Sequence, residues 1–173
     1  CRFCQSRISW RYPLVEILTG SIFLMIFLVL EPGMKLAPYF FLAFLLIIIS
    51  FIDIDFYRIP NQLIGIGFLA GTVLMIMFSF NQWGEALLGV LLGGGLLFIL
   101  AVLSKGGMGG GDVKLAGLIG FFLGWRLMVI ELFLAALFAA VVGLILIAMG
   151  KKRRKDPLPF APFLSMGALA AML

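Results

Sequence analysis

The sequence predicts an all-α membrane protein, built as a bundle of helices that cross a bilayer several times. Hydrophobic residues make up 64% of the 173 residues, charged residues make up only 12%, and the mean hydropathy is +1.21. Soluble domains average roughly 45–50% apolar residues and about 25% charged residues. The apolar residues also fall into runs close to the ~20 residues that a helix needs to span a bilayer. We therefore expect a polytopic bundle of about six crossings, followed by a partial last helix.

Each apolar run is predicted to be one crossing, and short polar segments separate the runs. The first four runs cover residues 12–30, 36–52, 62–80 and 86–103. A shorter fifth run ends at Gly124, a turn is predicted at Trp125 and Arg126, and a long sixth run ends at Met149. Residues 1–11 are interpreted as the cytoplasmic remnant of a cysteine-knuckle segment, and residues 12–173 as one transmembrane domain.

Basic residues are concentrated on one side of the predicted topology. When the loops are assigned to alternate sides, all of the 13 Lys and Arg residues except Lys35 and Arg126 fall on the same side. The positive-inside rule makes that side cytoplasmic. The net charge of +5 therefore indicates orientation in a membrane, and no nucleic-acid partner is expected.

The residue inventory excludes several catalytic chemistries. The sequence contains no histidine, which excludes Ser-His-Asp and Cys-His nucleophile arrangements and histidine-ligated zinc or haem in this chain. Its two cysteines, Cys1 and Cys4, form a C-x-x-C pair, which is half of a tetrahedral thiolate site. Two incidental thiols, or a lipid-modified cysteine at position 1, are the alternatives.

The glycine-rich segment Ser104–Asp112 is the main candidate for a functional site. It contains five glycines and ends on a carboxylate. Non-helical backbone at membrane depth is tolerated only where protein buries it or where it lines a wet cavity, and a carboxylate at the membrane border is a functional-site candidate. Glycine also lets a second backbone come close, because it has no side chain. We predict a water-accessible notch in which Gly109, Gly110, Gly111 and Lys114 contact a peptide substrate.

A second acidic segment, with Asp53 and Asp55, follows the second apolar run on the same predicted side as Asp112. On a continuing helix, two residues two positions apart point about 200° apart, so only one of these acids can face the notch. Asp53 lies closer to the membrane and is favoured. Asp55 is expected to meet solvent or to pair with Arg58.

Two carboxylates that lie close together are suited to general acid–base catalysis. They cannot both ionise cheaply, so they tend to share a proton. The ionised carboxylate can take a proton from a water molecule, while the protonated one can hydrogen-bond a peptide carbonyl. This chemistry, which needs no histidine, metal or nucleophilic side chain, is predicted for Asp53 and Asp112. Lys114 is expected either to steady the ionised acid or to be an interfacial anchor.

The residues around both acids resemble a known family. Residues 109–115, Gly-Gly-Gly-Asp-Val-Lys-Leu, are similar to the G-x-G-D-x-K-L motif of bacterial type IV prepilin peptidases. Residues 53–61 resemble the other acidic segment of that family, in which the catalytic Asp stands seven residues before a Pro that is followed by Asn or Asp. This alignment selects Asp53 over Asp55. Cys1, Cys4 and residues 9–16 are similar to the second cysteine pair of the family and to the segment that enters its next helix.

The resemblance implies an aspartic endopeptidase with the architecture of GxGD-type intramembrane proteases. Such enzymes lie in the bacterial cytoplasmic (inner) membrane and cut the short basic leader from prepilins or pseudopilins at the cytoplasmic face. Many members then N-methylate the new terminus with S-adenosylmethionine. The family has one more helix and a first C-x-x-C pair before the second pair, so we expect this chain to be a fragment. Zinc at Cys1 and Cys4, and S-adenosylmethionine, are expected only for the full-length protein, and the peptidase step is expected to need no cofactor.

Two other functions fit part of the pattern. A small proton- or cation-coupled carrier could use Asp53 and Asp112 as ion ligands, but both acids fall at one membrane face and no internal repeat is evident. A non-catalytic membrane scaffold would leave the glycine-rich acidic segment without a purpose. Elsewhere in the chain, Glu131 is expected at the outer interface, and the run Gly93-Gly94-Gly95 is expected at a helix-packing contact.

Overall fold

Every regular element of the computed structural model is an α-helix within the residues that the structure describes, which are 10–30, 33, 36–79, 81–104, 108–151 and 158–173. The helices are α1 (Arg11–Val29), α2 (Leu36–Phe56), α3 (Asn61–Phe78), α4 (Trp83–Leu103), α5 (Gly110–Ala148) and α6 (Ala161–Met172). Helices α1 to α5 are each long and apolar enough to cross a membrane. The prediction of an all-α, multi-pass membrane protein is confirmed.

Helix α5 contains both the fifth and the sixth predicted runs, joined by a bend. It has 39 residues, which would extend ~58 Å if the helix were straight, whereas the hydrocarbon core of a bilayer is ~30 Å thick. At Gly124 the backbone leaves the helical region, with φ 74° and ψ 170°. Glycine adopts a positive φ without the steric cost that other residues meet. The bend lies one residue before the predicted turn.

The first half of α5, residues 110–123, runs from the α2–α3 connection to the start of α4. Near its beginning, the ammonium group of Lys114 donates a hydrogen bond to the side chain of Asn61. Near its end, the side-chain amide of Asn81 donates to the carbonyl oxygen of Phe121. This half of α5 therefore extends along the bundle, from the end that contains the C-terminus of α2 to the opposite end of the bundle.

The second half of α5, residues 125–148, returns along the bundle. It begins where Arg126 faces Glu85, with a nitrogen–oxygen distance of 3.9 Å. It then reaches Gly143, whose added Cβ would lie 3.5 Å from the side chain of Leu158, three residues before α6. The six predicted crossings therefore correspond to five long helices, because the last of these turns back at Gly124.

The first half of α5 forms the centre of the bundle. Residues 115–124 are all buried, and they share one apolar core with completely buried side chains of α2 and α6, among them Leu42, Leu46 and Leu164. Helix α1 lies at the edge of the bundle and contacts α2. A stack of Phe23 on Phe40, with ring centroids 4.9 Å apart, holds the two together.

Glycines allow α4 to approach the backbone of α5. A Cβ added at Gly89 would collide with the carbonyl group of Gly120, and one added at Gly93 would lie 2.6 Å from a carbonyl oxygen of α5. Gly94 lies at ordinary contact distance from α5, and Gly95 has no atom within 4 Å of an added Cβ. The predicted packing contact is present at Gly93 and Gly94 and absent at Gly95, and the tightest contact is at Gly89.

The predicted division of the chain at residue 11 stays an interpretation. Residues 1–9 lie outside the described residues, and Arg11 is already the first residue of α1.

Candidate active site

Asp53 and Asp112 lie on different helices and line the same cavity, which has a volume of about 380 Å³. The two side chains are close enough for the charge of Asp53 to act on Asp112. The structure thus brings together the two acids that the sequence analysis selected, and their catalytic role stays a prediction. The other residues that line the cavity come from the α2–α3 connection and the start of α5: Tyr57, Arg58, Ile59, Asn61, Gly109, Gly110, Gly111 and Lys114.

Asp53 is held by the N-terminus of α6. Asp53 is near the end of α2 and only 5% exposed. Its Oδ2 accepts a hydrogen bond from the backbone N–H of Ala161, with a nitrogen–oxygen distance of 3.1 Å, and the backbone N–H of Phe160 lies close to the same carboxyl group. The first N–H groups of a helix have no partner within the helix. Asp53 therefore acts as a capping acceptor for α6.

A tight turn after α2 brings the following residues to the cavity. Tyr57 has a φ of 52°, which is uncommon for a residue with a large side chain. The N–H of Tyr57 donates to the carbonyl oxygen of Asp53 at 2.9 Å. After this turn, Ile59 and Asn61 reach α5 and line the cavity.

Asp112 is fixed at the start of its own helix. Gly109 is the N-cap residue of α5, and Asp112 is the third residue of the helix. The N–H of Asp112 donates to the carbonyl oxygen of Gly109 at 3.1 Å, and the backbone N–H of Gly109 lies close to the Asp112 carboxyl group. An acid at the third helical position that reaches back to the N-cap N–H is one half of a capping box. The spacing of Gly109 and Asp112 thus starts a helix as well as placing an acid.

The three glycines before Asp112 have different surroundings. A Cβ added at Gly111 would lie 3.0 Å from the Cβ of Ile59, and one added at Gly109 would lie 3.2 Å from Oδ2 of Asp112. A Cβ added at Gly110 would meet no atom within 4 Å. A side chain at position 111 would therefore press on Ile59 of the α2–α3 connection, which would have to move by a few tenths of an ångström. Contact of the glycines with substrate stays a prediction.

The predicted notch is partly helical. Gly110 and Gly111 belong to the first turn of α5, and residues 105–107 lie outside the described residues. The structure therefore describes less extended backbone beside Asp112 than the sequence predicted, because the glycine-rich segment already contains the helix start.

Lys114 links the two segments that carry the acids. Its Nζ donates to Oδ1 of Asn61, with a nitrogen–oxygen distance of 2.8 Å. Asn61 is the first residue of α3, so the bond ties the start of α3 to the first turns of α5 at the edge of the cavity. The predicted roles of Lys114, in contacting substrate, in steadying the ionised acid or in anchoring the chain at the interface, stay predictions.

Of the two expectations for Asp55, contact with solvent is confirmed and pairing with Arg58 is wrong. Asp55 points away from the cavity and pairs with Arg11 of α1, with a nitrogen–oxygen distance of 2.6 Å between two partly exposed side chains. The turn at Tyr57 directs Arg58 to the cavity of Asp53. The helical geometry that separates Asp53 from Asp55 is confirmed.

The expected interfacial position of Glu131 is also wrong. Glu131 is completely buried, and its two carboxyl oxygens have no hydrogen-bond partner within the described part of the chain. An added Cβ at Gly167 of α6 would lie 2.7 Å from the backbone oxygen of Glu131. Helix α6 therefore covers the returning half of α5, and hydropathy does not reveal such a contact.

The sequence analysis did not foresee the contribution of α6. Pro162, near the start of the apolar last segment, is typical of a helix N-terminus, and this signal could have placed the free N–H groups at Phe160 and Ala161. It could not have shown that these groups meet Asp53, because that contact depends on how the helices are arranged in space.

The predicted cysteine site cannot be described from the structure. Cys1 and Cys4 lie outside the described residues. No group of three or more His, Cys, Asp or Glu side chains that could hold a metal occurs among residues 10–30, 33, 36–79, 81–104, 108–151 and 158–173.

The fold and the cavity define a class of protein. The chain forms a multi-pass membrane bundle, and two carboxyl groups from separate helices face one cavity at the ends of those helices. A pair of neighbouring carboxyl groups of this kind is the arrangement used by aspartic peptidases.

Comparison with known proteins identifies the family. The model of the type IV leader peptidase family matches residues 40–144, and that of the bacterial peptidase A24 N-terminal domain matches residues 1–30. The prepilin leader peptidase/N-methyltransferase of Bacillus subtilis is 34% identical over 175 residues, which cover all of this chain and 70% of the relative. The protein of the same name from Aeromonas hydrophila is 34% identical over 178 residues, which cover all of this chain and 61% of the relative. No solved structure was found to be significantly similar.

The chain belongs to the type IV leader peptidase family. It spans between 53% and 70% of the length of these relatives and of the one from Myxococcus xanthus. The relatives give no support to the carrier interpretation.

Proposed function

We propose that the protein removes the leader peptide from type IV prepilins or pseudopilins, with Asp53 and Asp112 as its catalytic acids. The observation that carries this proposal is that the two carboxyl groups, from α2 and α5, line one cavity. The family and the names of the relatives support the substrate class. The protein would act in the bacterial inner membrane.

The proposed reaction is hydrolysis of a peptide bond by a water molecule held between the two acids. The ionised acid takes a proton from the water, whose oxygen forms a bond to the carbonyl carbon. The protonated acid gives its proton to the carbonyl oxygen. When the tetrahedral intermediate collapses, the C–N bond breaks, and the nitrogen takes the proton that came from the water. The acid that was protonated at the start recovers its proton from a hydroxyl group of the intermediate. Both acids therefore return to their starting protonation states.

The substrate would reach the acids from the cytoplasmic side. The positive-inside rule supports this orientation, because Arg58 and Lys114 at the cavity belong to the basic side of the topology. A basic leader peptide would then lie in water while the apolar segment that follows it stays in the bilayer. The peptide must be extended at the cut, and the absence of side chains at Gly109 and Gly110 leaves room beside Asp112.

Methylation of the new terminus is proposed only for the full-length protein. The relatives are named N-methyltransferases as well as leader peptidases, and S-adenosylmethionine would supply the methyl group. Cys1 and Cys4 lie outside the described residues, and no step of the proposed hydrolysis passes through S-adenosylmethionine or a metal.

The test is cleavage of a prepilin by the full-length protein in membranes, with Asp53→Asn and Asp112→Asn compared with wild type. Asparagine keeps the shape of each side chain and removes its ability to carry a proton in the reaction. We expect each variant to lose cleavage by roughly 10²–10⁴-fold or more, which is the usual contribution of general acid–base catalysis. Gel separation of precursor and mature pilin measures the rate.

Asp55→Asn is the matched control, because it makes the same chemical change two residues from Asp53. Asp55 faces away from the cavity and pairs with Arg11 on the surface, and exposed pairs contribute little to stability. We expect this variant to cleave at the wild-type rate. Wild-type cleavage by Asp53→Asn or Asp112→Asn would refute the proposal.

A further inference from the structure

We infer that the N-terminus of α6 is part of the active site, where its backbone amides hold Asp53 in the ionised form and make it the acid that accepts the proton from water. The inference rests on the proposed peptidase function and deepens it. Helix α6 lies beyond residues 40–144, the part of the chain that the leader peptidase family model covers.

The contact between α6 and Asp53 is made by the backbone of α6. The N–H of Ala161 donates to Oδ2 of Asp53 at 3.1 Å, and the N–H of Phe160 lies close to the same carboxyl group. Burial disfavours the charged form of a carboxyl group, and Asp53 is only 5% exposed. Hydrogen bonds donated to the carboxylate act in the opposite direction and favour its charged form. Ala161 is completely buried, so few water molecules can compete for these donors.

The rest of α6 is anchored so that these amides cannot easily move away. The hydroxyl group of Ser50 donates to that of Ser165 at 2.8 Å, and Ser165 donates to the carbonyl oxygen of Leu46 at 3.4 Å. On the other face of α6, an added Cβ at Gly167 would lie only 2.7 Å from a backbone oxygen of α5. Helix α6 is therefore fixed between α2 and the returning half of α5.

Asp112 has a different environment, which suits the proton donor. The N–H of Gly109 lies close to the Asp112 carboxyl group, whereas the N–H of Ala161 makes a hydrogen bond to Asp53 at 3.1 Å. Tyr57, Arg58 and Lys114 line the same cavity, so the two positive charges act on both acids and do not by themselves separate their roles. The N-terminus of α5 favours negative charge at Asp112, but the charge on Asp53 opposes a second charge in the same cavity. With Asp53 ionised first, Asp112 keeps the proton that the peptide carbonyl needs.

Ala161→Pro tests whether Asp53 accepts the proton from water while Asp112 donates a proton to the carbonyl. Proline has no backbone N–H and is common at the first position of a helix, which is the position of Ala161 in α6. A proline at this position also disfavours the α-helical backbone of Phe160, so the variant removes the Ala161 donor and shifts the neighbouring N–H as well. Loss of the donor makes the charged form of Asp53 less favourable. We therefore expect the acidic limb of the pH profile of kcat to move to higher pH, with the alkaline limb and KM unchanged. If Asp53 were the proton donor instead, the alkaline limb would move.

Two further variants of the full-length protein complete the experiment. Ala161→Ser adds bulk at the same buried position and keeps the N–H, so its profile is expected to stay at the wild-type position. Gly167→Ala forces α6 away from α5, and we expect it to move the acidic limb in the same direction as proline does. Unchanged acidic limbs in both Ala161→Pro and Gly167→Ala, or a shifted alkaline limb, would overturn the inference. Absence of cleavage by the wild-type protein would instead overturn the proposed function, so the two failures are distinguishable.

Discussion

Backbone amides at helix N-termini hold both acids of the candidate site. The Asp112 carboxyl group lies close to the N-cap N–H of its own helix, and Asp53 accepts a hydrogen bond from the N-terminus of α6. Backbone donors cannot be displaced by side-chain rotation, so the positions of the two carboxyl groups follow from the positions of α5 and α6. This is a preorganised arrangement, which favours catalysis because little reorganisation is needed in the transition state.

Glu131 differs from these acids because its carboxyl group is buried without a hydrogen-bond partner within the described residues. A buried polar group without a partner costs roughly 1–3 kcal/mol. Methionine has a similar volume and no polar oxygen, so we expect Glu131→Met to raise the free energy of unfolding by roughly 1–3 kcal/mol. Thermal unfolding of the purified protein in detergent measures the change.

Glu131→Gln is the control for this prediction. Glutamine keeps the shape of the side chain and leaves a polar group buried, so its gain in stability is expected to be smaller than that of methionine. A methionine variant that unfolds at a lower temperature than wild type would contradict the prediction and would indicate a stabilising partner for the carboxyl group.

For single residues, the sequence predicts the relative directions of side chains on the same helix. The two-residue spacing of Asp53 and Asp55 predicted that the acids face apart, and they do. The partner of Asp55 could not be predicted, because Arg11 is 44 residues away along the chain. The burial of Glu131 was missed for the same reason, since it depends on a helix that follows later in the sequence.

Among the helices, α4 and α5 make the closest contact. An added Cβ at Gly89 would collide with the backbone of Gly120, and that backbone cannot move without displacing the buried half of α5. Gly89→Val is therefore expected to destabilise the protein by at least the roughly 1–3 kcal/mol typical of an overpacked core. We also expect slower cleavage, because Asp112 is carried by the same half of α5. Thermal unfolding and the cleavage rate are the measurements.

Gly95→Val is the matched control on the same helix. An added Cβ at Gly95 has no neighbour within 4 Å, so we expect the stability and the cleavage rate to stay close to those of wild type. Equal losses of stability in both variants would show that the contact between α4 and α5 is not what makes Gly89 necessary.

Hydropathy predicted where the helices lie but not how they pack. The observed bounds of α1 to α4 agree with the predicted runs to within a few residues, because apolar length is a strong signal in a membrane protein. The bend at Gly124 was predicted one residue late, as a turn at Trp125 and Arg126. The contact between α6 and Asp53 was not predicted, since no pattern along the chain sets which helices become neighbours.

In the whole molecule, the number of crossings puts the acids at one end of the bundle. Asp53 lies near the end of α2, and Asp112 lies at the start of α5, after two further crossings by α3 and α4. An even number of crossings returns the chain to the same side, so this feature could be predicted by counting. That the two acids also lie side by side depends on the contacts of α5 with α2 and α3, and only the structure describes these.

The central claim is that Asp53 and Asp112 act together on one water molecule, and the most direct test compares single and double variants. Single-turnover cleavage of a prepilin is measured for the full-length protein with Asp53→Asn, with Asp112→Asn and with both changes. Residues that act as one unit show strongly non-additive losses. We predict that each single variant is as slow as the double variant. A double variant whose loss equals the product of the two single losses would contradict the account.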